Sequence, residues 1–118
     1  MKTIIAGSRT ITDYEIVKKA IRDSGFEISE VVSGTASGVD RLGERYAREN
    51  GLPIRQFPAE WNEYGKAAGP IRNVQMAEYA DALIAIWDGC SSGTRHMIKA
   101  AEKNDLKIFV TKEMVVQA

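Results

Sequence analysis

The sequence predicts an α/β fold: a doubly wound, mainly parallel sheet of five strands with helices on both faces. Three observations carry this. Short apolar runs of about five residues alternate with segments of helical spacing from one end of the chain to the other, the pattern of βαβ units. One of those runs, Ala82-Leu83-Ile84-Ala85-Ile86, is apolar throughout, as a strand covered on both faces requires. Loops rich in Gly, Ser and Thr follow the runs and lead into helices, most clearly Asp88 to Thr94.

The elements follow in order. Lys2 to Ala6 is the first strand and ends in Gly7-Ser8-Arg9. Thr12 or Asp13 caps a helix with Tyr14, Val17, Ala20, Ile21 and Ser24 at helical spacing and Gly25 as its stop. Ile28 to Ser33 is the second strand, followed by Gly34-Thr35-Ala36-Ser37-Gly38. Val39, Leu42, Gly43, Tyr46 and Ala47 mark one face of the next helix, which Asn50-Gly51 closes. Ile54 to Phe57 is a third strand between Pro53 and Pro58.

Ala59 to Gly69 is expected to be a long irregular connection carrying Trp61 and Tyr64. Pro70 suits the first position of the third helix, where its missing N–H costs nothing, with Ile71, Val74 and Ala77 facing inward. The central strand and its loop follow. Thr94, Met97, Ile98 and Ala101 form the buried stripe of a fourth helix that ends at Asn104-Asp105. Lys107 to Val110 is the fifth strand, and 111–118 is a last short element or a tail. Right-handed crossovers place the helices on both faces in a Rossmann-like arrangement, and every loop after a strand then falls on one edge of the sheet.

At 118 residues the chain is expected to be one domain, 1–118. Sixteen basic and 16 acidic residues give no field to recruit nucleic acid or a membrane surface. The single cysteine, Cys90, excludes an internal disulfide and a cysteine-based zinc site, and fits a cytosolic setting. The apolar start is too short for a signal peptide or a membrane span. No metal site and no resident cofactor are expected.

Three small-residue loops should meet at the strand C-ends: Gly7 to Arg9, Ser33 to Asp40, and Asp88 to Thr94. Glycine admits a ligand close to backbone N–H groups, hydroxyls add donors, and Arg9 and Arg72 add charge for a phosphate. A strand ending in such a loop at a helix N-terminus is an anion site, so a nucleotide or another phosphorylated small molecule is the natural occupant. The chain has no GxGxxG, no GxxxxGK[ST] and no nucleophile elbow. His96 and Cys90 are expected to be incidental to the site. Trp61 and Tyr64 either stack on a base or cover the sheet edge. Asp40 either stabilises a helix dipole or contacts the ligand, and Asp88 and Glu60 are the other acids placed for proton transfer, without a recognisable catalytic spacing.

AGSR at 6–9, SGTASGVDRLGERYARENG at 33–51, FPAEW at 57–61, G-x-x-AGPIRNVQM at 65–76 and ADALIAIWDGCSSGT at 80–94 together resemble the YspA-like (DUF2493) group of the SLOG superfamily. That superfamily includes the LOG phosphoribohydrolases and the DprA DNA-binding proteins. The resemblance implies a nucleotide or nucleotide-derived ligand, ADP-ribose-like molecules included, bound by a small sensor or binding module. It places the pocket at Gly7, Ser8, Arg9, Ser33, Gly34, Gly38, Asp40, Arg72, Asn73, Gly89, Ser92, Gly93 and Thr94. Gly93 and Thr94 would hold a phosphate, with Arg72 opposing its charge. Arg72, Met76, Asp81, Ala82, Gly89, Gly93 and Thr94 match the LOG layout, whereas Met97 stands where those enzymes carry a glutamate used in cleaving the N-glycosidic bond. A thioether cannot replace that carboxylate, so a phosphoribohydrolase using Asp88, Glu60 or Asp40 is the alternative function, and a DprA-like single-strand DNA binder a further one. Relatives often pair through their helices, which implies a homodimer.

Overall fold

The computed structural model describes residues 1–113. Along the chain run β1 (Lys2–Gly7), α1 (Tyr14–Ser24), β2 (Glu30–Ser33), α2 (Val39–Glu49), β3 (Ile54–Gln56), α3 (Trp61–Tyr64), a 3₁₀ turn (Gly65–Ala67), α4 (Ala68–Tyr79), β4 (Ala82–Trp87), α5 (Ser92–Lys103) and β5 (Lys107–Lys112). The five strands form one sheet in the order β3-β2-β1-β4-β5, every neighbouring pair parallel.

Alternation along the central strands divides the core between the two faces. Ile4 and Ala6 of β1 and Leu83 and Ala85 of β4 pack with Met76, Ala77, Met97 and Ala101 of α4 and α5. Ile5, Ile84 and Ile86 point the other way, against Tyr14, Val17 and Ile21 of α1 and Val39 and Ala47 of α2. Residues 82–86 are all buried, so the continuous apolar run is that of a strand covered on both sides. Asp13 caps α1 by accepting from the Glu15 N–H at 3.0 Å, and Gly25 ends it at φ +68°.

The sequence expectations fail in the 59–69 connection, which is largely helical. Pro70 is the third residue of α4, not the first. The first four N–H groups of a helix have no intrahelical partner, so Pro is tolerated there at the same low cost. Val74 is exposed, and Ala68, Gly69, Asn73, Met76 and Ala77 are the buried residues of α4. The helix turns its polar Arg72-Asn73 step towards the sheet edge, a rotation that an apolar count cannot anticipate. Ile71, Ile98 and Ser24 are only half-buried. Thr111 and Lys112 extend β5, and residues 114–118 lie outside the described ones. Among the described residues no helix is long and apolar enough to cross a membrane.

Close approach of α2 to β1 depends on Gly43, where a Cβ would lie 2.9 Å from the Cβ of Ile5. Gly43→Val is therefore expected to lose about 2–3 kcal/mol in urea unfolding. An unchanged midpoint would mean that α2 does not press on β1 at this point.

Candidate functional site

Beyond Gly7 the chain from β1 leads to α1 on one face, while the chain from β4 leads to α5 on the other. A crevice must open where neighbouring strands part in this way. It is a cleft of about 660 Å³ at the C-terminal edge of the sheet, within the range typical of small-molecule sites. A smaller depression of about 230 Å³ adjoins it, and Arg9, Ala36, Trp61 and Arg72 line both.

The two strand ends are tied together under the cleft. The Ser8 N–H donates to the Ile86 carbonyl at 3.0 Å, and the Ser8 hydroxyl accepts from the Asp88 N–H at 3.0 Å. The Asp88 carboxylate folds its own loop by accepting from the N–H groups of Cys90 (2.7 Å) and Ser91 (2.8 Å). Those two donors, with help from the Ser8 hydroxyl, hold its pKa below the ordinary carboxylate range, so Asp88 is a poor proton donor.

Ser91 caps α5, its hydroxyl oxygen accepting from the Thr94 N–H at 3.4 Å and from the Thr94 hydroxyl at 3.2 Å. Ser92 and Gly93 form the first turn of the helix, where N–H groups have no carbonyl four residues back. Both line the cleft. Asn73, buried, locks α4 to this helix by donating to the Gly93 carbonyl at 3.3 Å, and its Nδ2 lies 3.2 Å from His96 Nδ1. Its Oδ1 accepts from Arg72 Nε at 3.0 Å, and Arg72 Nη1 donates to the Gly34 carbonyl. The guanidinium is thus fixed from two sides, and its burial lowers its pKa against the raising effect of Asp40.

Asp40 lies in the first turn of α2, only 6% exposed, and accepts from the Ala36 N–H at 3.1 Å. Burial pushes its pKa up to about 6, against the opposing pull of that N–H, Arg72 and Arg9; Glu44 adds to the rise. Glu44, one turn further on, is buried as well. Burial raises its pKa, but hydrogen bonds from Ser33, Gln56 and Arg41 prevail and hold it below the usual range.

Of the residues expected in the pocket, Gly7, Ser8, Arg9, Asp40, Arg72, Asn73, Ser92, Gly93 and Thr94 line the cleft. The other four have structural work. Ser33 is fully buried and committed to Glu44 and to the Thr35 N–H. Gly34 lines the smaller depression, and a Cβ there would lie 2.7 Å from Arg72 Nη1 and 2.8 Å from Asp40 Oδ2. Gly38 at φ +78° packs on the Ser8-Arg9 backbone, and Gly89 turns the β4 loop at φ +87°. Asp88 and Asp40 border the cleft and Glu60 does not. His96 lines it; Cys90 is exposed on its loop and does not. Sequence reasoning missed Lys66, which lines the cleft; Met76 and Met97, both picked out by the LOG layout, line it as well. Lys66 stands four residues before Pro70, close enough to the start of α4 to have been a signal.

A family model described as "YspA, cpYpsA-related SLOG family" matches residues 1–64. The chain is 33% identical to the "Gene 61 protein" of Mycobacterium phage D29, over 92% of this chain and 94% of that protein. Its fold is similar to that of DNA processing protein A (DprA) from Streptococcus pneumoniae, with a TM-score of 0.71 and 20% identity. That likeness covers 92% of this chain and 49% of DprA, so the chain spans about half the length of that protein.

The buried Asp40 generates a pH test. Its pKa rises from an ordinary 3.8 to about 6 on folding, so the folded chain holds more protons between these values and stability falls as pH rises through them. Asp40→Asn, uncharged throughout, should exceed the parent at pH 7 by on the order of 3 kcal/mol and lose that advantage near pH 4. Urea unfolding at the two pH values checks this; a gap that does not change with pH would mean a solvated carboxylate.

Proposed function

Because the chain belongs to the YspA, cpYpsA-related SLOG family, we propose that its cleft binds a nucleotide or nucleotide-derived ligand, ADP-ribose-like molecules included, and that the chain serves as a sensor or binding module. One observation carries the reading: Arg9, Arg72 and Lys66 line the same cleft as the N-terminus of α5, with Ser8, Ser92 and Thr94 among them. The first-turn N–H groups and the helix dipole favour an anion, and a guanidinium supplies paired donors for phosphate oxygens. Gly93 has no Cβ, so a phosphate can approach the helix backbone closely. Clamped by Asn73 and the Gly34 carbonyl, Arg72 needs little further ordering on binding.

The same cleft gives a phosphoribohydrolase a specific foothold. Met97, at the position of the LOG glutamate, is a buried thioether in the wall and cannot move a proton. Asp40, holding its proton to about pH 6, has the acidity of a general acid for a leaving base. In that reaction the N-glycosidic bond breaks as Asp40 protonates the departing nitrogen, water adds to the sugar C1′, and the proton that the water gives up restores the Asp40 carboxyl.

A thermal-shift series with nucleoside mono-, di- and triphosphates, NAD and ADP-ribose, each sample then chromatographed for free base, separates the two. Stabilisation with ligand intact is the expected result; free base that disappears in Asp40→Asn would establish hydrolysis. Arg72→Ala and Thr94→Val are each expected to weaken binding about ten-fold or more. Affinities equal to the parent's would sink the phosphate placement.

A further inference from the structure

We propose that Trp61 is the platform on which the base of the bound nucleotide stacks, so that the cleft selects nucleotides over bare sugar phosphates. This rests on the nucleotide reading and adds the feature that discriminates among phosphorylated ligands.

The lining of the cleft combines anion-binding groups with one large exposed ring. Ser92, Gly93 and Thr94 bring hydroxyl and backbone groups to the cleft at the N-terminus of α5, and Ser8 adds another from the end of β1. The α3–α4 segment supplies the ring of Trp61 and the aliphatic Gly69 and Pro70, together with the polar Lys66, Arg72 and Asn73. An amphipathic ligand with a phosphate at one end and a flat ring at the other matches that combination. Arg9 and Arg72 line both the main cleft and the smaller depression, as Trp61 does, so charge suited to a phosphate and the ring share the same two cavities.

The indole is placed for contact with a ligand and does little for the core. It is 52% exposed although it lines both cavities, so it does not serve as a cover over the sheet edge. Tyr64, on the same short helix and 43% exposed, lines neither. The tip of the ring lies beside Gly69 of α4, where a Cβ would be in van der Waals contact with Trp61 Cη2 at 3.5 Å. Gly65, at φ +56°, ends α3 and fixes where the ring-bearing turn meets α4. Trp87 shows what a structural indole looks like in this chain. It is half-buried, its Nε1 donates to the Ser91 carbonyl at 3.1 Å, and Arg95 and Lys112 lie over its ring. Stacking on an aromatic face tolerates any base, since every base has a π-face. The platform therefore sets the class of ligand and leaves choice among bases to polar groups.

Titration calorimetry of AMP, ADP-ribose and ribose 5-phosphate against the parent chain, Trp61→Ala and Trp61→Phe tests this. The parent is expected to bind AMP or ADP-ribose about ten-fold or more tighter than ribose 5-phosphate. Trp61→Ala should abolish that preference by weakening AMP and ADP-ribose far more than ribose 5-phosphate, and Trp61→Phe should keep most of it. A preference that survives in Trp61→Ala, or ribose 5-phosphate bound as tightly as the nucleotides by the parent, overturns this proposal alone. Failure of all three ligands to bind the parent overturns the nucleotide reading and the platform with it.

Discussion

Five residue pairs join β1 to β4, from Thr3 with Ala82 to Gly7 with Ile86, and every part of the cleft depends on how that pairing ends. At Gly7 the strands approach so closely that a Cβ would run into the Ile86 carbonyl and the Val39 side chain. One residue later the Ser8 backbone still bonds to β4, and its hydroxyl reaches the Asp88 N–H. The chains then separate towards helices on opposite faces. Parallel pairing must stop at this point because the two crossovers pull apart, and the space between them is what a ligand can enter. A side chain at position 7 would separate the strands before the loops are tied.

Around that opening the fold holds groups in positions that are unfavourable for folding alone. Asp40 and Glu44 are buried carboxyls; the desolvation of Asp40 is only partly offset by its neighbours, whereas Glu44 needs hydrogen bonds from Ser33, Gln56 and Arg41 to outweigh its own. Thr35, a β-branched residue, sits at φ +65°, where such side chains are strained by roughly 1–3 kcal/mol. Both Gly34 neighbours that would collide with a Cβ, Asp40 and Arg72, are charged. The β2–α2 loop is therefore shaped to bring an acid and a base together beside bare backbone. Hydrophobic burial elsewhere in the sheet sustains that arrangement.

Much of this was legible in the sequence because the underlying physics is local. A strand covered on both faces must be apolar at every position, and 82–86 announces itself. Glycine and serine after a strand mark turns whatever their use, which is why the loops were placed correctly while the tasks of single residues were not. Ser33 and Gly38 have the composition of ligand contacts, yet one is bonded to Glu44 and the other packs on Arg9. Composition cannot separate a hydroxyl facing a ligand from one facing a buried carboxylate. The α3–α4 segment was illegible for another reason. Its helices carry few buried apolar residues, so the periodic signal is faint, and Pro70 lies two residues further into α4 than Pro's preferred site. The rotation that buries Asn73 and exposes Val74 is set by a bond to Gly93, 20 residues away.

The strand order also has a consequence for synthesis. β1, β2 and β3 neighbour one another in sequence and can pair as they emerge, but the second edge of β1 waits for β4. Ser8 and Asp88, whose bond ties the strand ends, are 80 residues apart. At translation speeds of about 5–20 residues per second, that separation amounts to roughly 4–16 s. Until then the Thr3-Ile4-Ile5-Ala6 segment offers unpaired N–H and carbonyl groups beside apolar side chains, the form of strand that other chains can join. A strand buried in the finished molecule thus spends its first seconds as an open edge, and the nascent chain depends on chaperones or on speed to keep that edge free.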